Sequence, residues 1–282
     1  MTDAASLPEL AQRCWRVLDT VHVPVYFVPE TSRNYGELGI KPRAGYFVSR
    51  SAAMGAVSPE VTIATFYVFA PGLVRHVMAG CWDTVTPAQL LDARHRGIVE
   101  ALRPVLAGHD DEIAEAAELG RALCDGLRPH GRALYAAHAA LPWPRDPLLG
   151  LWHAATLIRE HRGDAHMAAL LLAGVEPVEA LVADAAVTGR WDFLTTTRGW
   201  SAEEWADAEQ RLRDHGLVFT DRTLTPAGTA WREQIEERTR AAAVPAFEAF
   251  GLERTARLHD LVRPLAKAVV GSGLLPDMLR HR

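Results

Sequence analysis

The order of apolar and polar residues predicts helices through most of the chain. Apolar residues recur at three- and four-residue spacing from the start, so they share one face of a helix that Pro24 stops. They are Leu7, Leu10, Cys14, Val17, Leu18 and Val21. Residues 23–45 are rich in proline, glycine and aromatics, which predicts an irregular packed connection. Further helices are predicted at 44–54, 59–69, 71–80, 87–106, 110–126 and 130–140.

The main boundary is predicted after the helix at 130–140. The sequence Leu141-Pro142-Trp143-Pro144 follows that helix, and its prolines force an extended turn. The chain is therefore expected to contain a helical N-terminal domain at 1–145, a winged-helix-like domain at 146–245 and a C-terminal helical arm at 246–282.

The second of these segments has the element order of a helix-turn-helix. Three helices are predicted at Ala165–Ala173, Pro177–Val187 and Ser201–His215. Ser201 and Glu204 form a capping box at the start of the third. Gly216 ends that helix, two short strands are predicted to meet around Asp221-Arg222, and a fourth helix begins at Pro226. Three helices, a hairpin and a further helix predict a helix-turn-helix with a minimal wing.

The segment from Leu212 to Gly228 resembles the MarR-type winged-helix family. In that family a leucine, a Gly-Leu-Val triplet and a Leu-Thr-x-x-Gly motif close the recognition helix, form the wing and start the dimerisation helix. The whole chain also resembles a helix-turn-helix-bearing family typical of actinomycetes, on Tyr26-Phe27-x-Pro29-Glu30 and on residues 159–166. The resemblance implies an all-α fold: a multi-helical N-terminal body, a winged-helix module with a minimal β-wing, and C-terminal helices. It brings no established activity.

The MarR-type resemblance also implies a homodimer. Helices at about 227–243 and 252–270 are predicted to pair across a two-fold axis, because their apolar surface exceeds what one short module covers. The apolar residues concerned are Trp231, Ile235, Val244, Phe247, Phe250, Leu258, Leu261, Val262 and Leu265.

Charge argues against DNA reading by this module. Residues 176–240 hold 13 acids and 8 arginines, whereas a DNA reader concentrates positive charge on its recognition helix. We therefore expect a module that is degenerate for DNA binding and serves packing or dimerisation. The alternative is a MarR-like, ligand-responsive transcriptional regulator. It would contact DNA through Arg190, Arg198, Arg211, Arg213 and Arg222.

Polar residues interrupt an apolar stripe in the helix predicted around residues 148–167. His153, Thr156 and Glu160 fall on the side that also carries Leu157. Buried polar groups are costly unless paired, so a network with arginines such as Arg50, Arg159 or Arg162 is expected. Two interpretations stay open. The network either fixes two helical layers against each other or lines a ligand pocket.

The pocket interpretation combines these polar groups with nearby aromatic residues. Its predicted ligand-binding residues are His153, Glu160, His161, Arg159, Arg50, Tyr26, Phe27, Tyr46 and Trp152, with Phe47, Phe66 and Trp143 as further lining. If the protein is an enzyme, Glu160 with His153 or His161 is the acid-base candidate. The sequence identifies neither the ligand, nor a reaction, nor a cofactor.

Spacing argues against a metal site. His161 and His166 are five residues apart and His153 and His161 eight apart, which does not bring two imidazoles together on a helix. A single histidine such as His153, His161 or His138 could ligate haem, although nothing in the sequence demands it. Nucleotide-binding glycine loops and nucleophile motifs are absent from the sequence.

Composition fits a folded protein of a reducing compartment. Apolar residues make up 49% and charged residues 23%, and the three cysteines suggest no disulfide framework. The acidic start lacks a signal-peptide pattern, and no apolar run approaches a membrane span, so a cytoplasmic protein without a membrane partner is expected. The leading hypothesis is a small-molecule-binding helical protein, ahead of the regulator and of a purely structural interaction protein.

Overall fold

The computed structural model describes residues 6–279, and within that range the chain is all-α. The helices are α1 (Leu7–His22), α2 (Pro29–Glu37), α3 (Pro42–Ser51), α4 (Pro59–Phe66), α5 (Pro71–Met78), α6 (Cys81–Thr84), α7 (Pro87–Val105), α8 (Asp110–Cys124), α9 (Ala133–Ala139), α10 (Pro147–Leu172), α11 (Pro177–Thr188), α12 (Trp191–Thr197), α13 (Ala202–Asp214), α14 (Pro226–Phe250) and α15 (Leu252–Gly271). Short 3-10 turns occupy Val23–Tyr26, Ala52–Met54 and Asp277–Leu279. The predicted all-α class is confirmed.

Prolines account for the main errors in the predicted elements. The stretch at 23–45, predicted as irregular, contains α2 and the start of α3, which begin at Pro29 and Pro42. Proline suits the first helical position because the N–H that it lacks would have no partner there. The helix predicted at about 227–243 extends to Phe250 and continues through Pro245. The short helix α12 was not predicted.

The described residues divide into two compact units that are not continuous in sequence. Unit 1 contains the described residues up to Ala56, Gly80–Asp164, and those from Ala242 onward. Unit 2 contains Val57–Ala79 and Ala165–Ala241. The chain passes from one unit to the other inside α10 and inside α14. The division into three consecutive segments stays a prediction.

The core of unit 1 joins the two ends of the described chain. α1 packs against α15, and α15 also packs against α8. Phe247, Phe250, Leu258 and Leu265 are buried in this core beside Leu18 of α1. The chain thus covers most of the apolar surface that suggested a dimer interface, and the dimer itself stays a prediction.

Unit 2 contains a three-helix core followed by a tight turn. α11 packs against α12 and α13, and buried side chains from all three helices meet there, Leu181, Leu194 and Trp205 among them. The predicted β-wing is not formed as strands: residues 216–225 make a single antiparallel bridge between Val218 and Leu224. α14 begins at Pro226, directly after this bridge, so the pairing cannot extend toward that end.

The Leu-Thr-x-x-Gly motif has a structural explanation in this turn. The Thr225 hydroxyl donates to the Gly216 carbonyl oxygen at 2.6 Å and accepts from the Gly228 N–H at 2.9 Å. A Cβ at position 228 would lie 1.9 Å from the carbonyl oxygen of Leu217, so only glycine fits. The motif therefore holds the end of α13 against the start of α14.

No helix among residues 6–279 combines the length and the apolar composition that a membrane crossing requires.

Candidate functional site

A cluster of buried polar side chains lies in unit 1, and it contains a buried ion pair between Arg50 and Glu160. Arg50 of α3 donates from Nε to Glu160 Oε1 at 3.0 Å and from Nη2 to Oε2 at 2.6 Å. Its Nη1 donates to the hydroxyl of Tyr46 at 3.1 Å. The Glu160 side chain is 1% exposed and that of Arg50 14%. The charge network expected from the stripe on α10 is thus present at Glu160.

The electrostatics of this pair favour the ionised form of Glu160. Burial alone would raise the pKa of the carboxyl, but the charge and hydrogen bonds of Arg50 lower the pKa of Glu160 to about 2. The Glu160 carboxylate therefore stays ionised. Its hydrogen bonds go to Arg50 and not to His153 or His161, and the acid-base pair stays a prediction.

A second buried pair joins α1 to α10. Arg159 donates to Asp19, which is buried, and its guanidinium lies 5.6 Å from the centre of the Tyr26 ring. Next to it, His22 is fully buried, with Nδ1 3.0 Å from the hydroxyl of Thr156 and Nε2 3.1 Å from that of Tyr26. The polar stripe on α10 is thus matched by polar residues on α1.

Trp152 forms one wall of the cluster. Its ring stacks on His22 at 4.9 Å, and its Nε1 donates to the His22 carbonyl oxygen at 3.3 Å. Burial, with the charges of Arg159 and Arg94, lowers the pKa of His22 well below its ordinary value. His22 is therefore a neutral imidazole that links two hydroxyls.

Arg94 is the third arginine of the cluster, and it differs from the other two. It lies on the buried face of α7, is 1% exposed, and its guanidinium lies 5.3 Å from the Trp152 ring centre and 5.4 Å from that of Tyr26. Its hydrogen bonds go to two neutral hydroxyls, those of Ser49 at 3.3 Å and Tyr26 at 3.4 Å. Its Nε is buried without a partner, and none of the ion pairs among residues 6–279 includes it.

Two further histidines extend the cluster along α9 and α10. His153 is buried against the edge of Trp143, and its Nε2 has no hydrogen-bond partner. His138 lies 3.3 Å from the Arg50 carbonyl oxygen. Burial lowers the pKa of His153 to about 4 and that of His138 to about 3, so both are neutral at physiological pH. His138 interacts electrostatically with both His153 and Arg94.

The structure does not bring all the predicted ligand-binding residues together. His161 contacts Tyr135 edge to face at 5.0 Å, and its carbonyl oxygen accepts from Arg132, outside the contacts of the cluster. Phe27 packs on the apolar core of unit 1. Phe66, a predicted lining residue, belongs to unit 2. Arg50, Arg159, Tyr26, Tyr46, Trp152 and Glu160 do lie within the cluster.

Four residues of the cluster escaped the sequence analysis: Asp19, His22, Ser49 and Arg94. His138 was considered only as a haem ligand. A signal for Arg94 exists, because Leu90, Ala93 and Ile98 share its buried face on α7 and make it a charge within an apolar stripe. The same reasoning that singled out Glu160 would have found it.

The described residues contain no group of three or more histidine, cysteine or acidic side chains arranged to hold a metal ion.

The arginines considered for DNA binding are engaged with acids or aromatic rings. Arg213 and Arg222 both contact Glu209, which is buried on α13. Arg211 pairs with Glu179 at 2.7 Å, and Arg190 pairs with Asp184 at 2.8 Å. Arg198 lies over the rings of Phe69 and Phe193.

A family model described as a helix-turn-helix family matches residues 11–276. The chain belongs to the helix-turn-helix family. Since the match covers residues of both units, the polar cluster lies within this helix-turn-helix protein and not in an unrelated addition to it. Neither the curated proteins nor the solved structures provide a significant match.

Proposed function

We propose that this helix-turn-helix protein binds a small molecule at the polar cluster of unit 1. The supporting observation is that three buried polar atoms of the cluster have no hydrogen-bond partner: Arg94 Nε, Arg159 Nε and His153 Nε2. Native proteins satisfy nearly all buried polar groups, so unsatisfied atoms on two buried arginines and a histidine favour an external partner. Catalysis is not assigned.

A thermal-shift screen of metabolites tests this proposal. Compounds that raise the unfolding temperature should lose binding in His153→Leu, because that substitution removes an unpartnered nitrogen of the cluster. His161→Leu is the matched control, since His161 is also buried and neutral but packs on Tyr135. Equal binding by both variants, or a library without a single stabilising compound, would contradict a ligand site here.

We further propose that the helix-turn-helix of unit 2 is degenerate for sequence-specific DNA binding. The support is that Glu209, Glu179 and Asp184 form ion pairs with four of the five arginines considered for phosphate contacts. Gel-shift titration against the upstream region of its own gene at near-physiological salt is expected to show weak, nonspecific binding. Specific operators are bound at about 10⁻⁸ M or tighter, and affinity in that range would overturn this proposal.

The second candidate function is a ligand-responsive, MarR-like transcriptional regulator, which membership of the helix-turn-helix family favours. The variant Glu209→Gln separates the two. It releases Arg213 and Arg222 from their carboxylate, so nonspecific DNA affinity should rise. A regulator would instead lose affinity for its operator if Glu209 positions these arginines for specific contacts.

Assembly as a homodimer remains a proposal that rests on the MarR-type resemblance. Light scattering should then give twice the 30.9 kDa chain mass at micromolar concentration. A monomer would show that packing of α15 on α1 replaces the interface expected from the sequence.

A further inference from the structure

Buried charge in the cluster does not balance. Arg50 is paired with Glu160 and Arg159 with Asp19, whereas Arg94 has no carboxylate partner among residues 6–279. A guanidinium stays protonated at all physiological pH values. A buried charge is stable only when it is paired or well hydrogen-bonded, and two long bonds to hydroxyls use few of its five N–H donors.

From this geometry we propose that Arg94 is the anion-binding residue of the ligand site and that the ligand is a small molecule with one carboxylate group. The proposal rests on the proposed function, small-molecule binding at the same cluster, and adds the chemical class of the ligand.

The edge of the Arg94 guanidinium that could hold a carboxylate is incompletely hydrogen-bonded. Nε has no partner, and Nη2 has only the bond to Tyr26. Nε and Nη2 are the same two atoms through which Arg50 holds the carboxylate of Glu160. Two parallel N–H donors match the two oxygens of a carboxylate. The pair of Arg50 with Glu160 is therefore an internal template for the contact proposed at Arg94.

The charge count favours a single carboxylate over a phosphate. One negative charge neutralises Arg94, whereas a phosphate monoester brings about −1.5 to −2 at pH 7. The surplus charge would have to be met by the neighbouring imidazoles, and His22, His138 and His153 are neutral at that pH. Aromatic rings on two sides of the guanidinium, those of Trp152 and Tyr26, suit a ligand whose remaining part is apolar.

Paired probes test the charge requirement. Acetate and benzoate are compared with their neutral amides, acetamide and benzamide, by calorimetry and thermal shift on the full chain. The acids should bind and the amides should not. Arg94→Met should weaken binding about ten- to hundredfold, since it removes hydrogen bonds to a charged group. Arg96→Met is the control, because Arg96 lies on the same helix but is exposed and paired with Asp92.

A stability measurement distinguishes a ligand residue from a structural one without any ligand. Arg94→Met removes an uncompensated buried charge, so the ligand-free variant should unfold at a temperature no lower than the unmodified protein. Arg50→Met strands the carboxylate of Glu160 and should unfold several degrees lower. Arg94→Lys keeps the positive charge but loses the two parallel N–H donors, so this variant should bind acetate more weakly than the unmodified protein.

Four results would overturn the proposal. They are equal binding of acids and amides, unchanged benzoate binding by Arg94→Met, tighter binding of phenyl phosphate than of benzoate, and a fall in stability for Arg94→Met as large as that for Arg50→Met. A neutral metabolite that binds in the thermal-shift screen and is lost in His153→Leu would leave the small-molecule site standing while refuting its carboxylate class.

Discussion

The substitution Glu160→Gln probes how much the buried pair with Arg50 stabilises unit 1. Glutamine keeps an oxygen that accepts one hydrogen bond but loses the charge, so Arg50 remains buried without a counterion. Removing one partner of a buried pair costs about 3–5 kcal/mol. The pKa of Glu160 supports this range: it falls from 4.5 to about 2, and each pKa unit corresponds to about 1.4 kcal/mol, which gives about 3 kcal/mol.

The pH dependence of this difference follows from the same pKa. A carboxyl whose pKa is lower in the folded protein contributes stability above its unfolded value of 4.5, and this contribution is lost as the pH falls through about 2. Urea unfolding should therefore show a constant gap between the unmodified protein and Glu160→Gln above pH 5, and a shrinking gap below it.

A matched control exists on the surface of the same unit. Arg257 holds Glu115 through Nε and Nη2 at 2.6 and 2.5 Å, the same bidentate geometry, but 56% of the Arg257 side chain is exposed. Exposed pairs contribute little, so Glu115→Gln should leave the urea midpoint almost unchanged. Two results would refute the assignment of a buried stabilising pair. One is an equal loss of unfolding free energy in Glu160→Gln and Glu115→Gln. The other is a stability difference between Glu160→Gln and the unmodified protein that does not narrow below pH 5.

Three further substitutions test other parts of the structure. Trp152→Ala should cost about 3–5 kcal/mol in urea unfolding, because a ring that is 1% exposed leaves a large cavity. Asp164→Asn should raise the unfolding temperature at pH 7 and leave it unchanged near pH 4. Burial raises the pKa of Asp164 to about 6, so its ionised form is destabilising only at the higher pH. A gain in unfolding temperature that does not depend on pH would contradict this. Gly228→Ala should lower the unfolding temperature because the added Cβ meets the carbonyl oxygen of Leu217. Gly72→Ala is the control, since a Cβ there meets nothing within 4 Å. Similar unfolding temperatures for the two variants would argue against the close approach at position 228.

Local patterns predicted much of the helical structure. Ser201 with Glu204 marked the start of α13, because capping depends on neighbouring residues alone. The turn after α13 was placed correctly but was predicted as two strands. Hairpin propensity cannot tell a ladder from a single bridge, since that depends on how closely α14 packs on the end of α13.

The polar cluster was predicted less completely than the helices. The stripe on α10 pointed to Glu160 and His153 because it interrupts an apolar face within one helix. The position of Arg94 in the cluster depends on its contacts with Trp152 and Tyr26, which belong to other elements of the fold. The absence of an acid beside Arg94 is a property of the folded chain that no local pattern contains.

Each of the two units is built from segments that are separated in sequence, and this affects folding during synthesis. The apolar face of α1 leaves the ribosome before its partner α15, and all of unit 2 is made between the two. Unit 2 is complete once Ala241 has emerged, while unit 1 still lacks its final helix. The nascent chain therefore carries the apolar face of α1 without its partner until α15 emerges, and such surfaces are what chaperones bind. We expect a chain stopped before α15 to hold a folded unit 2 and an aggregation-prone remainder.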